Sequence, residues 1–428
     1  MPTTRMALLR LVRHRLVKDS LILYGVQISG YLLPFITQPY LARVLGPENI
    51  GLIGLGSAMA IYFVSAVEYG FAITGPRQIA IAQDEPGMVS KIYSTIVACR
   101  IALLAISILI LAGVLLTVSK YRAHWALYAI SFIQVCGWCL SPNWLMQGLQ
   151  RMRYVAASDY TAKIVSVALV FLLVRYRGDY LWAAGLQASG FFLAALVGLA
   201  FVFRVLHVRL VVPSWEGMRE QMRLGWPVFL SMASIPIVAS SNTMILGYLA
   251  SDAQVGYLAS AMRLIIALRA LVNPINSAVY PHLSKLAVRS PLEGVDFLVK
   301  RLFWVILPFL AGSFVLFFFS PWIIHIVFGR EFGEAGVLLR IMAFTPCIYA
   351  ASTCFGNYML AFGFEKEWSK IILRLSVLNF ILLGILLRFL APARAVALTT
   401  TLIDAGALFF CALFFSRTVA EVKQRQAA

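Results

Sequence analysis

The chain has 428 residues, of which 61% are hydrophobic and 13% charged, and its formal net charge is +18, with a mean hydropathy of +0.85. Soluble domains carry about 25% charged residues, so this composition excludes a soluble enzyme or nucleic-acid-binding domain and marks an integral membrane protein. About twelve spans of ~20 residues each leave no room for a separate soluble domain.

At the start, residues 1–19 combine Arg5, Arg10, Arg13, Arg15 and Lys18 with scattered leucines. That pattern reads as a short amphipathic cytoplasmic segment, without the apolar core of a cleavable signal. Apolar runs predict spans near 20–44, 50–75, 89–118, 123–149, 158–176 and 179–205, then near 222–250, 254–281, 296–319, 333–361, 368–391 and 393–417. The expected fold class is therefore all-α integral membrane, with an N-terminal six-helix bundle over 20–205 and a C-terminal one over 222–417. A cytoplasmic linker at 206–221 joins them, and 418–428 forms a cytoplasmic tail. Lys and Arg gather in the termini and in alternate loops, which by the positive-inside rule puts both termini in the cytoplasm. Attraction to anionic membrane lipids accounts for most of the basicity, and no nucleic acid is implied.

The two halves echo one another. Ile50-Gly51-Leu52 matches Val255-Gly256-Tyr257 at an offset of 256 − 51 = 205, and Pro76 matches Pro281 at 281 − 76 = 205. An even number of spans per half gives both copies one orientation, a plan that many secondary transporters share.

Polar groups recur along several spans. Tyr24, Gln27, Tyr31 and Gln38 form a helical stripe in the first, and Gln134, Trp138 and Ser141 another in the fourth, followed by Asn143 and Gln147. Prolines in the first span (Pro34, Pro39) and the seventh (Pro227, Pro236) predict kinks. Arg269, Asn273 and Asn276 share one face of the eighth span at i, i+4, i+7, while Arg263 diverges from Arg269 by about 120°. Glu68, Arg100, Arg374 and Asp404 are further charges inside spans. A charge in hydrocarbon survives only against water, an anion or a partner, so these residues mark either salt bridges or a polar pathway.

Other chemistry is missing. There is no P-loop, and the glycines of Gly51–Gly56 lack a preceding strand. The five histidines have no metal-ligand spacing, and Cys136-Gly-Trp-Cys139 lacks the soluble βαβ setting of a redox motif. Neither cofactor nor metal is expected, and all six cysteines sit in apolar runs that disfavour disulfides.

The segment from Tyr31 to Ala80 carries Pro34, Pro39-Tyr40-Leu41-Ala42-Arg43, Leu45-Gly46, Gly51, Tyr69-Gly70-Phe71 and Arg77. With these landmarks it resembles the N-terminal signature of bacterial polysaccharide transporters, the O-antigen and related lipid-linked oligosaccharide flippases. Where this chain has Glu68, that family commonly has Asp. The resemblance implies the fold of the multidrug, oligosaccharidyl-lipid and polysaccharide (MOP) exporter superfamily, with two six-helix bundles in a V around a central cavity. It also implies a non-enzymatic transporter of undecaprenyl-diphosphate-linked oligosaccharide, working from the cytoplasmic to the periplasmic leaflet of the inner membrane. Polysaccharide polymerase and chain-length proteins are implied partners.

On physical grounds, Arg263, Arg269, Arg100, Arg77 and Arg43 are candidates for receiving the diphosphate, because a guanidinium fork donates two hydrogen bonds at once. Asn273, Asn276, Tyr24, Gln27 and Tyr31 are candidates for contacting the cargo, and Glu68 and Asp404 for coupling to a proton or sodium ion. The rival readings are an organic cation antiporter of the same superfamily, a membrane glycosyltransferase or polymerase, and a scaffold for polysaccharide assembly.

Overall fold

The computed structural model describes the backbone of residues 3–427 and the side chains of 36–419, apart from those of 231, 235, 277, 278, 288 and 291. The described residues are almost entirely helical, and ten helices among them are long and apolar enough to cross a membrane. They group into two compact units, one of Met1–Tyr40 with Phe63–Phe229 and one of Leu41–Tyr62 with Leu230–Ala428. Each unit buries its own core. In the first it is built around Phe71, Tyr93, Ile96 and Trp144, and in the second around Val272, Leu283, Leu298, Phe355 and Tyr358. Large apolar side chains such as Ile106, Leu109, Phe303 and Trp304 are exposed on the spans, as suits helices surrounded by hydrocarbon.

Local chemistry sets the breaks. The helix Thr3–Glu68 runs through the first predicted span and most of the second, which is interrupted at Tyr69-Gly70, and has one non-helical residue, Gly46 at φ 78, ψ 170. That combination is open only to glycine, because a Cβ would collide with the backbone. The predicted seventh span divides at Ala233, between Trp215–Met232 and Ser234–Leu249. Pro236 explains the position: its ring occludes the Met232 carbonyl and it has no N–H to offer. Neither piece is both long and apolar enough to count among the ten. In the fourth predicted span the helix Ile133–Leu140 stops, and Ser141 is extended at ψ 120. Residues before proline are pushed into this region, and Pro142 follows.

The repeat has a structural counterpart within the second unit. Gly46 is matched at 251 − 46 = 205 by Ser251, the extended residue that precedes the helix Asp252–Ala270. A second break follows in each copy, at Tyr69-Gly70 and at Leu271, and each is succeeded by a helix containing the matched proline, Pro76 or Pro281. The two matched glycines touch. A Cβ on Gly51 would lie 1.8 Å from the Asp252 carbonyl oxygen, and one on Gly256 would lie 1.9 Å from that of Pro47. Since 252 − 47 = 205 as well, the contact is reciprocal, as at a two-fold axis.

Candidate functional site

Two groups of polar residues lie inside membrane spans, one in each unit. In the second unit, the helix Asp252–Ala270 carries both Arg263 and Arg269. Arg269 donates through Nη2 to the Asp404 carboxylate, forming an ion pair whose side chains are each 18% exposed. Its guanidinium also lies 5.2 Å from the Tyr349 ring centroid, within cation–π range. Arg263 Nη1 is buried and has no hydrogen-bond partner among the described residues. Because the two arginines diverge around the helix, Asp404 serves only one of them. A short way along, Asn276 accepts a hydrogen bond from Asn357 at 2.9 Å, while Asn273 is exposed.

The first unit holds Arg100 and Glu68. Arg100 is 3% exposed, with its guanidinium near the rings of Phe71 and Trp144, at 6.0 and 5.8 Å. Through Nη1 it donates to the carbonyl oxygens of Trp138 and Ser141, at 3.3 and 3.1 Å. Pro142 has no N–H to return to Trp138, whose carbonyl accepts the Ser141 N–H at 3.3 Å instead, and Arg100 adds a side-chain donor to both carbonyls at the break. Arg100 thereby bonds the helix break through Nη1, while its buried Nε has no hydrogen-bond partner among the described residues. Glu68 is half-buried and in electrostatic reach of it. Arg43 is exposed and donates to the Ile326 carbonyl within the second unit, and Arg77 is exposed. Tyr24, Gln27 and Tyr31 lie outside the residues with described side chains.

The Pro142 break also shapes a cavity of about 400 Å³ within the first unit. Trp138 and Ser141 line it from just before the break and Asn143 from just after, opposite Gln38, Asp159, Lys163, Ser166, Gln187 and Phe191. Gly137 lets the wall close up, since a Cβ there would come within 2.6 Å of the Phe191 backbone. The first- and fourth-span stripes thus meet at Gln38, Trp138, Ser141 and Asn143. Asp159, Lys163 and Gln187 were not singled out from the sequence. The signal was the i, i+4, i+7 series Asp159, Lys163, Ser166 on an apolar helix, masked by its nearness to the predicted start of the span at 158.

Comparison with known proteins agrees with this architecture. Residues 16–287 match the model of a family described as polysaccharide biosynthesis protein. An Escherichia coli (strain K12) protein named as an O-antigen transporter is 31% identical over 368 residues, covering 86% of this chain and 88% of the relative. Among solved structures, that titled lipid II flippase MurJ superposes with a TM-score of 0.68 at 14% identity, over 94% of this chain and 87% of the other. A multidrug resistance MATE family transporter of the MOP superfamily gives a TM-score of 0.67 at 14% identity, over 94% and 95%. At such identities the two structures establish the fold and nothing finer. The chain is a multi-pass membrane protein with the fold of the MOP superfamily, and it belongs to the polysaccharide biosynthesis protein family.

Proposed function

We propose that this protein is a flippase that moves an undecaprenyl-diphosphate-linked oligosaccharide from the cytoplasmic to the periplasmic leaflet of a bacterial inner membrane. It works by alternating access, using the six-helix bundles 20–205 and 222–417, and both termini are cytoplasmic. The observation that carries this reading is the state of the two arginines in Asp252–Ala270. One has a buried nitrogen with no partner among the described residues, and the other is held by a single carboxylate. A guanidinium left unpaired in a span is costly unless an anion comes to it, and a diphosphate supplies oxygens for both. The name of the E. coli relative as an O-antigen transporter supports the cargo class.

In this reading the arriving diphosphate competes with Asp404 for Arg269. The displaced carboxylate then takes up a proton or sodium ion, which gives Asp404 the coupling role and leaves Glu68 as counter-charge to Arg100. The organic cation antiporter is disfavoured because a cationic drug would meet unpaired positive charge. The test is reconstitution into proteoliposomes with a fluorescent undecaprenyl-diphosphate glycan. Arg263→Ala and Arg269→Ala are each expected to slow flipping at least tenfold. Wild-type rates in both variants would remove these residues from the mechanism, and no flipping by the wild type would remove the function.

A further inference from the structure

We infer that the cavity in the first unit is a binding subsite for a neutral pyranose ring of the cargo, an assignment that rests on the flippase reading above and deepens it. Its volume of about 400 Å³ lies within the range of small-molecule sites, about 300–1,000 Å³.

The chemistry of its walls selects the ligand. One side is aromatic: Trp138 and Phe191 stack with centroids 6.1 Å apart and planes at 29°, and Phe191 is 43% exposed. The rest of the wall is apolar at Val167, Val170 and Ala194 and polar at amides and hydroxyls, with one carboxylate and one ammonium. Asp159 lies one turn from Lys163 on the helix Met152–Leu173 and is attracted to it. The lining charges therefore cancel. A diphosphate would meet the Asp159 carboxylate without an arginine to hold it, and an organic cation would meet Lys163. Neither is suited to the site.

A neutral polyhydroxylated ring is suited on both faces. Its C–H face packs against an aromatic surface, and its hydroxyls, each both donor and acceptor, match amides that offer both. One acceptor is already waiting. Gln38 donates through Nε2 to Gln187 Oε1 at 3.1 Å, which leaves Gln38 Oε1 buried without a partner among the described residues. An unsatisfied buried acceptor is destabilising until a donor arrives, and a sugar hydroxyl is such a donor.

The test uses full-length protein in detergent and a panel of neutral methyl pyranosides covering the gluco, galacto, manno and N-acetylated forms. Saturation-transfer NMR with irradiation of the aromatic protons reads the contact. At least one member is expected to bind the wild type with a millimolar Kd. Trp138→Leu and Gln187→Leu are each expected to weaken that binding at least tenfold, and Trp138→Phe, which keeps an aromatic face, to retain it within about threefold. Should Trp138→Leu fail to fold, Gln187→Leu and Ser141→Ala carry the test. No binding of any member to the wild type, or equal binding by the folded variants, overturns the subsite. Because methyl glycosides have neither lipid nor phosphate, that failure is distinct from failure of wild-type flipping, which would overturn the flippase reading itself.

Discussion

Arg100 and Arg269 have one residue type and unlike employments. Arg100 adds a donor at the break that Pro142 makes, so Arg100→Met should destabilise the protein by about 3–6 kcal/mol, the scale of two hydrogen bonds from a charged group. In thermal melts with Pro142→Ala, which restores an N–H, the double variant should be less destabilised than the sum by about 1 kcal/mol. Strict additivity would show that the proline and the arginine are unrelated. Arg269 is held by a carboxylate that the proposed mechanism needs to release. Asp404→Asn should therefore abolish the dependence of flipping on an imposed proton or sodium gradient, measured with ionophores, whatever its effect on the rate. The sequence singled out all three charges, because any charge in an apolar run is conspicuous. It did not pair Arg269 with Asp404 or Arg100 with the Trp138 carbonyl, since one helix's periodicity says which face a side chain shares and nothing about the neighbouring helix.

At the level of elements, the breaks matter more than the helices. Gly46 stands out in the sequence, Pro142 does not, and of the kinks expected at Pro227 and Pro236 the seventh span divides just before Pro236, while Pro227 lies inside the helix Trp215–Met232. That the Pro142 break would build a cavity wall was not legible, because the cavity takes groups from five helices. The glycine contact offers a direct test of the repeat. Gly51→Ala and Gly256→Ala should each destabilise by about 1–3 kcal/mol, the usual consequence of overpacking, and by similar amounts, because the contact is reciprocal. Gly113, within the helix Pro86–Thr117, has nothing within 4 Å of an added Cβ. Gly113→Ala should stabilise by about 0.5–1 kcal/mol through helix propensity alone. A melting experiment in which all three glycines behave alike would contradict the reciprocal contact.

For the whole molecule, a net charge of +18 and buried charges that are mainly basic set the expected cargo against organic cations. Overproduction in efflux-deficient bacteria should leave the inhibitory concentrations of cationic drugs within about twofold of the control, and a larger rise in resistance would favour the antiporter. The helical class and the repeat were readable from hydropathy and two landmarks at one offset, because membrane spans obey a length rule that soluble folds lack. The meeting of Gly51 and Gly256 couples two positions far apart in the chain. If the copies are exchanged, this patch maps onto itself, so the two halves share one requirement for a bare backbone at the contact. A methyl group gained by either half would wedge both, which ties the fates of two distant codons to a single atom's width.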